Sequence, residues 1–160
     1  VIQRIQSVYL LLAALLLLGS LLSANAILTA GEATYNFSPF GLLSEQNTAV
    51  SIRFPYLLLL ATLGIPLLGL LASVFLFGNR KKQIQTVRWC TLALLIHLVA
   101  ESFLYFHAIN SLKELLHTGE IHTRWGMGSF FPLPAVAACM LAVAAIRRDE
   151  ELVKSADRIR

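Results

Sequence analysis

Gly78-Asn79-Arg80-Lys81-Lys82-Gln83-Ile84-Gln85-Thr86-Val87-Arg88 is a short polar stretch between two long apolar runs, and it decides how the rest of the chain is read. It carries four of the thirteen Lys and Arg residues. Basic residues close to membrane-spanning segments hold their side of a bilayer on the cytoplasmic face. Read as a cytoplasmic hinge, the stretch orients every neighbouring segment.

Outward from the hinge, the composition is that of a chain whose solvent is lipid. Of 160 residues 57% are hydrophobic and only 14% charged, with mean hydropathy +0.70. Soluble domains are typically about 45 to 50% apolar with about 25% charge. At roughly 20 residues per span, the length accommodates four helices and not six. The expected fold class is an all-α integral membrane protein, a single domain over residues 1–160, with spans near 8–28, 56–77, 89–109 and 130–146.

The net charge of +4 does not point to nucleic acid, because the basic residues lie at helix ends instead of on one face among stacking aromatics. They count as a topology signal. Arg4, the hinge residues Arg80, Lys81, Lys82 and Arg88, and the tail residues Arg147, Arg148, Lys154, Arg158 and Arg160 make ten on one side, against Arg53, Lys113 and Arg124 on the other. Both termini are expected to be cytoplasmic.

Each run has local features. The first, after Arg4, ends near Ala24-Asn25-Ala26, which resembles a signal-peptidase site, but its apolar stretch outlasts the usual 7 to 15 residues and favours an uncleaved helix. In the following outer connection, residues 33–37 and 50–54 alternate in polarity around a turn at 38–41, fitting a small hairpin or an irregular loop equally well. Pro66 should kink the second span. Gly69 and Ser73 form a small-residue pair, and Ala135, Ala138 and Ala142 a small-residue stripe, both suited to close helix packing. In the second outer connection, residues 111–117 read as a short amphipathic surface helix. Pro132 and Pro134 suit the first turn of the fourth span. Residues 147–160 form an amphipathic tail helix, lying along the inner surface or extending the fourth span.

Few residues could carry chemistry. His97 and Glu101, four apart on the third span, share a helix face. Ionisable groups at such depth are costly and mark candidate sites, although pairing lowers the cost and can be purely structural. Proton relay or quinone contact is the functional alternative. His97 and His107 are too far apart to ligate one haem. His117, Glu120 and His122 are three ligand types in a loop, short of the tight pairs and fourth ligand of a zinc site. Cys90 and Cys139 lie inside apolar runs, with no disulfide expected between them. The sequence has no serine elbow, phosphate-binding glycine loop or paired acidic motif. Neither an enzyme nor a cofactor is expected.

The opening Ile2-Gln3-Arg4-Ile5-Gln6-Ser7-Val8-Tyr9-Leu10, the hinge 79–84 and the tail 146–160 resemble a family of small four-helix membrane proteins of the Bacteroidota, domain of unknown function 4293. The resemblance implies an inner-membrane location and four helices; it implies no activity. Its most specific segments lie on the expected cytoplasmic side, where tail arginines could meet anionic headgroups or a partner. The leading expectation is an inner-membrane scaffold or accessory subunit, in contact with lipid and with another membrane protein or itself. The alternative is a proton- or quinone-linked component using His97 and Glu101.

Overall fold

A computed structural model describes residues 2–44, 56–117 and 120–158, the side chains of 2–4, 154 and 156–158 excepted. It contains four long helices, α1 (Ile2–Leu22), α2 (Tyr56–Phe75), α3 (Arg80–Leu116) and α4 (Pro132–Arg158), and four short strands. Each helix is long and apolar enough to cross a membrane. They pack as a closed ring in which α1 lies against α4 and α2, and α3 against α2 and α4.

The helices bury small and polar residues together with leucines such as Leu10, Leu17, Leu63, Leu70 and Leu94, and turn many other large apolar side chains outward. Leu15, Leu57, Leu68, Val99, Phe103 and Met140 are all more than half exposed, whereas Ala13, Ala135, Ala138, Ala142 and Ser73 are buried. Such a surface suits hydrocarbon surroundings, where helix association depends on close backbone approach more than on apolar burial. Gly69 illustrates the approach: a Cβ there would stand 2.6 Å from the Cys90 sulfur on α3. Cys90 and Cys139 are free thiols buried in this core. Pro66 lies inside α2.

Several boundaries differ from the sequence reading. The hinge is a loop only at its start. A 3-10 turn, Leu76–Gly78, leads to Asn79, whose side chain accepts from the Lys82 amide and caps α3. Asn is a strong N-cap and the following Arg, Lys and Gln are good helix formers, so the polar stretch is helical from Arg80. At its other end α3 runs on to Leu116, and residues 111–116 are its last turns instead of a separate surface helix. The tail takes the second of its two expected placements and continues α4.

The first helix stops at Leu22, six residues short of the expected 28, because β1 (Ala26–Ala30) begins there. β2 (Ala33–Ser38) follows through a tight Gly31-Glu32 turn, with Gly31 at φ +62°. β3 (Gly41–Ser44) returns through Pro39-Phe40. The turn at 38–41 and the first expected strand are both present, but β2 pairs with Gly41–Ser44; residues 50–54 lie outside those described. A fourth strand, β4 (His122–Trp125), comes from the second connection and pairs antiparallel with β1. The sheet order is β3-β2-β1-β4.

The fold is thus a four-helix bundle with a four-stranded sheet added at one end, mainly helical and not all-α as expected. Leu28, Phe37 and Leu42 of the sheet form a core with Leu59 of α2 and Leu104, Tyr105, Ala108 and Leu112 of α3. Trp125 stacks on Tyr105 at 4.6 Å between ring centroids, and Phe37 meets the same ring edge-on at 6.2 Å. The final turns of α3 therefore serve as the post on which the sheet rests.

Candidate functional site

Buried polar groups gather at two levels of the bundle. The first lies beneath the sheet, around Glu101. The Asn25 amide nitrogen donates to Glu101 Oε1 at 2.7 Å, and Ser129 Oγ stands 2.5 Å from the same oxygen. Asn25 directly precedes β1, while Ser129 ends the 3-10 turn Met127–Ser129 before α4. One carboxyl on α3 thus collects groups from both connections at the sheet end.

These groups are brought together by an exchange of backbone bonds. The Gly126 amide donates to the Asn25 carbonyl at 2.8 Å and the Gly128 amide to the Ala24 carbonyl at 3.1 Å. Ser20 of α1 donates to the Gly128 carbonyl at 2.8 Å. The two segments approach so closely that a Cβ at Gly126 would lie 2.1 Å from Ala24 O, and one at Gly128 2.4 Å from Asn25 Oδ1.

His97 is fully buried one turn from Glu101, with its Nε2 3.7 Å from Glu101 Oε2. The proton assignment follows from the network. Thr62 Oγ1 of α2 has one proton and lies 2.8 Å from the Leu58 carbonyl, its ordinary helical acceptor. His97 Nδ1, 2.9 Å from Thr62 Oγ1, is then the donor to it. Nε2 is left with its lone pair toward Glu101 and has no hydrogen-bond partner among the described residues. Ser129 also has one proton for two acceptors, Glu101 Oε1 and the Asn25 carbonyl at 2.8 Å. Glu101 Oε1 is thus the acceptor on which the Asn25 amide and the Ser129 hydroxyl converge.

The second level lies at the opposite end. Asp149 of α4 is buried and accepts from Gln6 of α1 at 3.0 Å; its Oδ2 is also 3.0 Å from Arg80 Nη2 of α3. Arg80 adds a bond to the Asp149 carbonyl at 3.3 Å. Nearby, Gln83 donates to the Ser73 carbonyl at 3.0 Å, tying α3 to α2. Asp149→Leu removes the acceptor for both Gln6 and Arg80. Its expected cost is about 2 kcal/mol, reduced from a fully buried pair because Arg80 is 23% exposed. Reversible unfolding in mixed detergent micelles measures it; a loss below about 0.5 kcal/mol would show the cluster to be incidental.

The sequence reading paired His97 with Glu101, and the structure brings them together with Asn25, Ser129 and Thr62, which it had not singled out. Asn25 is 76 residues from Glu101 and has no periodic relation to it. Gln6 and Asp149 were also missed, since Asp149 is one of three consecutive acidic residues, Asp149-Glu150-Glu151, and nothing local sets it apart from the other two. Arg80 is taken up by Asp149, while Lys81, Lys82, Arg88, Arg147 and Arg148 lie at the helix surfaces. The side chains of Lys154 and Arg158, and all of Arg160, fall outside the description. Ala135, Ala138, Ala142 and Ser73 are buried at helix contacts. Among the described residues no three metal-ligating side chains cluster; His122 is in β4 and His117 ends α3 in the left-handed region.

A match to the family described as Domain of unknown function (DUF4293) extends over residues 2–159. Comparison with curated proteins gives no match.

Proposed function

We propose, for a chain that belongs to the DUF4293 family and takes no assigned activity from it, a role as a scaffold or accessory subunit of a complex in the bacterial inner membrane. Both termini are cytoplasmic in this reading, and the sheet faces the other side. The observation that carries it is the internal use of the buried polar groups. Glu101 draws Asn25 and Ser129 together, and Asp149 draws Gln6 and Arg80 together, so both levels join helices and connections to each other. What such a fold offers to its surroundings is its outward surface: broad apolar helix faces, a sheet with the exposed edge strand β4, and an end rich in Arg and Lys.

The test is extraction from native membranes in a mild detergent, followed by native mass spectrometry of the intact particle. The expected result is a heteromer with a second membrane protein at constant ratio across preparations. A particle containing only this chain, as monomer or homo-oligomer, would overturn the accessory-subunit reading.

A second reading rests on one geometric detail, the His97 Nε2 lone pair facing Glu101 Oε2 across 3.7 Å. Those two atoms could exchange one proton after a small side-chain movement, as a proton-linked component would require. The same arrangement serves equally as a structural contact in which Glu101 only accepts; Glu101→Gln would then leave the assembled complex active, whereas a proton-linked component would assemble and lose its activity.

A further inference from the structure

The charges at the basic end fall into two classes. Arg80 is neutralised inside the fold by Asp149. Lys81, Arg88 and Arg147 make no ion pair with another described residue, and all three line one groove of about 600 Å³ between α3 and α4. Glu150 lines the same mouth, which stays net positive with three cations against one carboxylate.

The groove does not end at the charges. Arg88, Leu92 and Arg147 also line its continuation, about 420 Å³, whose walls are otherwise mainly apolar and include Leu95, Met140 and Ala144. Ala144 is exposed on the wall formed by α4, where its short side chain leaves the space between the helices open. Leu95 then joins a third apolar stretch along α3 that reaches Val99 and Phe103. From Arg88 to Val99 the helix rises roughly 16 Å at 1.5 Å per residue. That is about half of a ~30 Å hydrocarbon core, the depth of one leaflet.

A furrow with cations at its mouth and hydrocarbon along one leaflet's depth has the charge and polarity profile of a lipid molecule. We infer that the furrow between α3 and α4 binds one anionic phospholipid, with its phosphate between Arg88 and Arg147 and an acyl chain along Leu92, Leu95 and Met140. A zwitterionic lipid would bring a further cation to a mouth that already holds three, so the site selects for net negative charge. The inference rests on the bilayer placement proposed above, but not on the existence of a protein partner.

The full chain, purified and delipidated in detergent, is titrated with phosphatidylglycerol or phosphatidylethanolamine of matched acyl chains and read by native mass spectrometry. One phosphatidylglycerol per chain is expected to bind roughly tenfold or more tighter than phosphatidylethanolamine. Arg88→Gln with Arg147→Gln should abolish that preference. Arg148→Gln, at the same helix end but lining the groove beside Ile5 and Tyr9 of α1, should leave it intact. Met140→Trp, which fills the apolar part, should weaken both lipids alike. All four substituted residues are exposed, so the fold is not at stake, and matching thermal transitions check this.

Equal binding of the two lipids, an undiminished preference in the double variant, or an equal loss in Arg148→Gln would each overturn the site. Displacement of the lipid by inorganic phosphate at comparable concentration would overturn its acyl-chain half. A chain that remained monodisperse without detergent would instead overturn the bilayer placement.

Discussion

Gly126→Ala is expected to destabilise the protein by about 3 to 5 kcal/mol, which lowers its thermal transition by roughly 10 °C. The cause is contact, not backbone preference: Gly126 has φ −89°, open to any residue. Its added methyl would stand 2.1 Å from Ala24 O and 2.8 Å from Ala24 C, backbone atoms that cannot rotate away. Relief requires separating the two segments, which weakens the Gly126 and Gly128 amide bonds and withdraws Ser129 from Glu101. Trp125 fluorescence reports the change in a Trp89→Phe background, since its indole stacks on Tyr105. Gly64→Ala is the control. A Cβ there meets nothing within 4 Å and removes a glycine from helix α2, so it should be neutral or stabilising by up to about 1 kcal/mol. Coincident transitions for Gly126→Ala and the parent protein would disprove the close approach.

Glu101→Ala is expected to cost about 3 kcal/mol, and Glu101→Gln no more than about 1 kcal/mol. Alanine leaves the Asn25 amide and Ser129 hydroxyl without their acceptor in a buried space. Glutamine retains a carbonyl oxygen for Asn25 and turns its amide nitrogen toward His97 Nε2, the lone pair that has no partner among the described residues. The pair of variants therefore distinguishes a side chain needed only as a hydrogen-bond acceptor from one whose carboxyl group the fold requires as such. Unfolding free energies in mixed micelles give the answer directly. If glutamine proved as damaging as alanine, the fold would depend on the carboxyl group itself and not only on an acceptor oxygen for Asn25 and Ser129.

How much of this could be read from sequence depends on the range of the interaction. Each helix was visible because apolar composition over about 20 residues is a local property. The His97 and Glu101 pair was visible because four residues is a helical neighbour distance. β1 was hidden, since Ala26-Ile27-Leu28 continues the apolar run of α1 after a break of only three residues, Ser23-Ala24-Asn25. That break resembles a processing site when read alone, and gains its meaning only when Gly126–Ser129 folds onto it. β4 was hidden for the opposite reason: His122-Thr123-Arg124-Trp125 is short, polar and exposed, and owes its strand conformation to pairing with β1. The extension of α3 past residue 109 escaped notice because its last turns are amphipathic, with Leu112 buried under the sheet and the opposite face polar.

The strand order also sets a schedule for synthesis. Strands β1, β2 and β3 leave the ribosome within 19 residues of one another, while β4 begins 78 residues after β3 ends. At about 5 to 20 residues per second, translation takes roughly 4 to 16 s to supply it. Throughout that delay β1 has one open edge, and when α3 enters the bilayer its carboxyl still lacks Ser129. A nascent chain stalled before residue 122 therefore displays both an unpaired strand edge and a carboxyl without its Ser129 donor.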